Sequence, residues 1–161
     1  MSLDPLTVYL NGHLAGSSAA VALLDHLKTL YHPGSERRRF FATLQIEVEE
    51  DSTVLRQLIR ARGGEERRAR SAVGWLMGKL TAAKLQVDDP AGPLHIFEAL
   101  EALELFFDGN HALWRALQAA RERVPQARSL DLAGLERRAK AQYERAESMR
   151  LQLAPQALSA A

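Results

Sequence analysis

The chain has 161 residues, of which 47% are apolar and 25% charged, with a formal net charge of +1 and no cysteine. That length suits one domain with a single buried core, and the near-neutral charge argues against nucleic acid or an anionic membrane as partner. The lack of cysteine excludes disulfides, thiolate metal sites and cysteine nucleophiles, and no apolar run approaches the roughly 18 residues of a membrane span.

The N-terminus shows no basic-then-apolar signal pattern, so a soluble cytoplasmic protein is expected. Its basic residues are mostly arginine, as GC-rich bacterial genomes favour. Turn signals at "HPGS" (32–35), "RGGE" (62–65), "VDDPAGP" (87–93) and "VPQARSLD" (124–131) divide the chain into five segments of helical composition. None alternates with period two for long enough to be a strand.

The first segment, 5–31, carries a stripe of Leu6, Leu10, His13, Ser17, Ala20, Leu24, Leu27 and Tyr31. Its four-three spacing is that of a bundle seam, and Asp4 followed by Pro5 forms a cap and first turn. The second, 35–62, is capped by Ser35 and turns Phe41, Leu44, Val48, Asp51, Leu55 and Leu58 inward. The third, 66–86, is shorter, with Ala69, Val73, Leu76, Leu80 and Ala83 on one face. Trp75 lies opposite that face, against a second neighbour or an oligomer contact.

The fourth segment, 94–122, is the most apolar: Ile96, Leu100, Leu103, Phe107, Trp114 and Leu117 share a face. Phe107 and Trp114 are expected to be buried, and Gly109–Asn110 to mark a kink or bulge. The fifth, 131–153, is capped by Asp131 and has a narrow stripe of Leu135, Ala139, Gln142, Ala146, Met149 and Leu153, so it belongs at the bundle edge. The tail, 154–161, is expected to fray. Short connections between long amphipathic helices predict antiparallel neighbours. The expected fold is a single-domain, all-α, antiparallel up-down bundle of four main helices and one shorter one.

Residues 46–51, "IEVEED", place four carboxylates in six positions. At about 100° per residue, Glu47 and Asp51 fall on the inner side of the second segment, whereas Glu49 and Glu50 face water. His13 and Ser17 are inward on the first segment, Glu104 and His111 on the fourth, and Gln142 on the fifth. In a hairpin turning near residue 33, position i faces about 66 − i, which brings His13 level with Asp51. The expectation is a buried polar cluster of His13, Ser17, Glu47 and Asp51. In it the imidazole is protonated, with a pKa above its ordinary value. His111, beside Gly109–Asn110, is expected to act as a local cap.

With "YLNGHLAGSSAAVALLDHL" facing "FFATLQIEVEEDSTVLRQLI", and "FEALEALELFF" later, the chain resembles the ferritin-like superfamily. That resemblance implies a four-helix bundle. In metal-binding relatives it also implies one Glu and a Glu-x-x-His set from each helix pair. Here His13 stands in place of the first glutamate, and Glu47-x-x-Glu50 lacks the histidine. Glu98, Glu101 and Glu104 form a ladder on the fourth segment, and Glu144-x-x-Glu147 on the fifth turns outward.

The leading expectation is therefore a bundle without an intact di-metal site and without a cofactor. Its role would be structural, stress-associated or interaction-based, and it would self-associate. The alternative is an iron or manganese carboxylate oxidase or peroxidase using His13, Glu47, Glu50, Asp51, Glu101 and Glu104. A second alternative is an adaptor that holds a partner helix along the fourth segment. The arginine runs "ERRR", "EERRAR" and "LERRAK" sit beside glutamates without interleaved aromatics, and read as solvated helix ends.

Overall fold

A computed structural model describes residues 4–66 and 92–159. Among these residues are four long helices: α1 (Pro5–Thr29), α2 (Glu36–Ala61), α3 (Pro93–Ala119) and α4 (Leu132–Leu158). No strand occurs among the described residues. The predicted third segment, with its stripe and Trp75, lies outside them. No helix among the described residues is long and apolar enough to cross a membrane.

The helices begin where side-chain acceptors satisfy otherwise orphaned N–H groups. Asp4 accepts from the N–H of Thr7, Ser35 from that of Arg38 and Asp131 from that of Gly134. Pro5 and Pro93 sit in first turns, where a missing N–H costs nothing. Between α1 and α2 the chain reverses through Gly34, whose φ of +83° would strain a residue bearing a Cβ. The Arg38 guanidinium then donates to the carbonyls of Lys28 and Tyr31, closing the end of α1. At the other end, Arg62 grips Asp4 through two hydrogen bonds of 2.9 and 2.7 Å. That grip, helped by Thr7, holds the Asp4 carboxyl well below the usual carboxylate range.

Two boundaries differ from expectation. Helix α3 stops at Ala119, short of 122, and the chain continues in two short 3₁₀ turns at Arg121–Arg123 and Pro125–Ala127. Pro125 biases Val124 away from helix, and Val124 adopts φ −122°, ψ 80°. Helix α4 instead runs past 153 to Leu158, so residues 154–158 of the tail are helical. Pro155 lies within it and removes the bond to the Leu151 carbonyl.

The core forms two apolar clusters, each drawing on all four helices. One contains Leu24, Leu27, Phe41, Leu44, Val48, Leu100, Leu103, Phe107, Ala146 and Leu153. The other contains Leu10, Leu14, Leu55, Leu58, Ile59, Leu113, Trp114, Leu117, Leu132 and Ala139. Phe107 and Trp114 are both fully buried, one in each cluster. The apolar face of α3 thus holds its phase through Gly109–Asn110, and the helix is unbroken there. Burial of each such large side chain stabilises the fold by roughly 1.5–3 kcal/mol.

A polar belt as candidate functional site

Between the two clusters, each helix contributes polar side chains where its apolar stripe is interrupted. They are His13 and Ser17 on α1, Asp51 and Ser52 on α2, Asn110 on α3, and Gln142 on α4. Ser17, Asp51, Ser52, Asn110 and Gln142 are buried, and His13 is half-buried. A polar layer in a bundle core is expensive unless its groups are partnered. The two serines solve this locally, donating to the carbonyls one turn back, Ser17 to His13 and Ser52 to Val48.

Of the four residues expected to cluster, the structure brings together two. Glu47 and Asp51 share Gln142, whose Nε2 lies 3.1 Å from Glu47 Oε2 and 3.5 Å from Asp51 Oδ2. Their cationic partners come from α4 and not from His13. Arg145 pairs with Glu47, and Arg138 pairs with Glu50 while its Nε stands 3.7 Å from Asp51 Oδ1. His13 turns away to α3, where Asn110 is its polar neighbour, and its ring packs edge-on against Tyr9 with centroids 4.8 Å apart. Ser17 spends its hydroxyl on its own helix.

The protonation expected of His13 is therefore reversed. Burial lowers its pKa, outweighing the opposing influence of Asn110, and among the described residues no carboxylate acts to hold a proton on the ring. By linkage, its stabilising effect is present above the unfolded value and is lost as pH falls through the lowered folded value. Asp51 moves the other way. Burial raises its pKa to about 6 against the opposing pulls of Arg138 and Gln142, with Glu47 and Glu50 adding to the rise. Arg138 is not close enough to offset the loss of water around a carboxyl that is 1% exposed, and Asp51 Oδ1 accepts no hydrogen bond.

Along α3, Glu104 is buried and bonded to Arg150 of α4, yet burial still raises its pKa. The Arg150 guanidinium also lies over the Phe97 ring, 5.3 Å from its centroid. Glu101 is exposed on the outer side. His111 faces Glu136 of α4, its Nε2 3.3 Å from the carboxylate, and so forms a cross-helix contact where a cap was expected. The structure also joins two residues that the sequence leaves unconnected: the Nε2 atoms of His26 and His95 are 3.0 Å apart.

A di-metal centre in a bundle needs four carboxylates and two histidines converging on one point. The six candidates do not fit that set. Glu47, Glu50, Asp51 and Glu104 point to arginines, His13 to an amide and Glu101 to the surface. Among the described residues no group of three or more His, Asp or Glu side chains is placed to hold a metal ion. The chain matches no protein-family model, no curated protein and no solved structure.

Proposed function

We propose that this chain is a ferritin-like bundle in which cross-helix ion pairs stand where metal-binding relatives carry their ligands, and that its role is structural or interaction-based, not catalytic. One observation carries the reading: the inward carboxylates of α2 and α3 are each engaged by an arginine or glutamine of α4. A carboxylate held by a guanidinium is a poor ligand, because the cation would have to be displaced before a metal could enter.

The contacts support a particular topology. Asp4 meets Arg62, and Lys28 meets Gln45, so α1 and α2 run antiparallel. The pairs Glu104–Arg150 and His111–Glu136 favour the same for α3 and α4. Residue 62 lies where α1 begins, whereas His95, at the start of α3, meets His26 near the end of α1. With α2 and α3 running the same way, the four described helices form two antiparallel hairpins, an arrangement that fits the ferritin-like order. Exposed leucines at 94, 151 and 158 on α3 and α4 favour self-association through that hairpin.

The test is metal analysis and light-scattering mass determination on protein purified without chelator. The expected result is less than one-tenth equivalent of iron or manganese and a mass above that of one chain. One equivalent or more of either metal, lost in Asp51→Asn or Glu47→Gln, would overturn the reading in favour of a carboxylate oxidase or peroxidase.

A further inference from the structure

Away from the belt, near the end where α1 finishes and α3 starts, His26 and His95 meet ring nitrogen to ring nitrogen. Their Nε2 atoms are 3.0 Å apart, the ring centroids 5.3 Å, and the ring planes are inclined at 73°. The two residues are 69 positions apart in sequence, and His95 is 4% exposed. Five histidines occur in the chain, and these two form the pair that the fold assembles.

We propose that this pair is a two-nitrogen site for Zn(II), clipping α1 to α3. Neutral imidazole is a preferred ligand for borderline divalent metals, and two Nε2 atoms on separate rigid helices form a ready-made chelate. A tetrahedral Zn(II) about 2.1 Å from each nitrogen requires the nitrogens about 3.4 Å apart and the ring centroids about 5.3 Å apart. The observed centroid separation already has that value. Entry of the metal thus needs only that the rings swing until their lone pairs converge, opening the nitrogens by about 0.4 Å. Without metal, one ring donates its N–H to the other. Structural zinc sites supply four protein ligands. Among the described residues no third His, Asp or Glu is placed to join the pair, so the affinity expected from these two nitrogens is modest.

The site uses none of the belt residues, so its failure would leave the proposed function untouched. The experiment is calorimetric titration of tag-free protein with Zn(II) alone, and with Mn(II), which prefers oxygen ligands, as the contrasting ion. One equivalent of Zn(II) should bind and raise the melting temperature, and Mn(II) should do neither. Affinity for Zn(II) should fall at least tenfold in His26→Gln and in His95→Gln, and stay unchanged in His32→Gln and His111→Gln. His26 is half-buried, so His26→Gln decides the matter if His95→Gln does not fold. Absence of saturable binding, or undiminished binding by a folded His26→Gln variant, would overturn the proposal.

Discussion

Asp51 is a carboxyl kept in the core at a cost, and the cost has a pH signature. Its folded pKa of about 6 lies above the ordinary value of 3.8. Between those values the native state holds the proton more tightly than the unfolded chain, so this group's contribution to stability falls as pH rises through the window and is flat above it. At neutral pH the ionised carboxyl therefore destabilises the fold, by about 1–3 kcal/mol on the conversion of pKa shift to free energy. Asp51→Asn keeps the shape and a hydrogen-bonding group beside Gln142 but cannot ionise. The variant should unfold at higher denaturant concentration than wild type at pH 8 and match it near pH 4. What pH dependence remains should combine His13, whose effect has the opposite sign, with Glu104, whose raised pKa acts in the same sense as that of Asp51. Chemical denaturation at both pH values checks this, and a variant less stable than wild type at pH 8 would show that the Arg138 interaction dominates.

At the scale of the element, the helices and their inner faces were legible because apolar spacing records which side of a helix meets the core. Leu44, Val48, Leu100, Leu103, Phe107 and Trp114 are buried as that spacing requires. The caps at Asp4, Ser35 and Asp131 were legible for a similarly local reason. The partners of the inward acids were not. Arg138, Arg145 and Arg150 lie at the margin of the α4 stripe, where a helical wheel does not decide between water and a neighbouring helix. Their long stems nevertheless carry the guanidinium across to α2 and α3. A signal was present in the seven-residue spacing of Arg138 and Arg145 around inward Gln142, which complements Glu47 and Asp51 in charge. Reading it requires knowing that α4 neighbours α2, and local periodicity carries no such information. His13 was misassigned on the same account, since its partner Asn110 belongs to the fourth predicted segment. The Glu47–Arg145 pair is partly solvated, with side chains 21% and 38% exposed. A double-mutant cycle with Glu47→Gln and Arg145→Gln should therefore give a coupling of about 0.5–1.5 kcal/mol, between the exposed and the buried limits. Coupling indistinguishable from zero would mean that Gln142 alone satisfies Glu47.

On the scale of the whole molecule, the belt divides what could have been one continuous core. Leu10, Leu55 and Trp114 pack on one side, and Leu24, Leu44 and Phe107 on the other. Stability alone does not account for such a layer, because well-packed apolar residues in place of buried polar ones are often neutral or stabilising by about 1–4 kcal/mol. A polar layer does discriminate among alternatives: sliding one helix by a turn would bury Asp51 or Gln142 against leucine with nothing to bond. The belt therefore fits a device that fixes register, as a single buried polar position does in coiled coils. Asp51→Leu combined with Gln142→Met tests this directly. Arg138 keeps Glu50 and Arg145 keeps Glu47, so no charge is left without a partner. The double variant should gain about 1–4 kcal/mol in denaturant unfolding, provided the larger side chains repack without strain. It should also lose structural uniqueness, seen as broadened or doubled amide resonances and a mixture of association states. A variant that is less stable, with sharp single resonances, would show that the belt holds the bundle together instead of choosing its register.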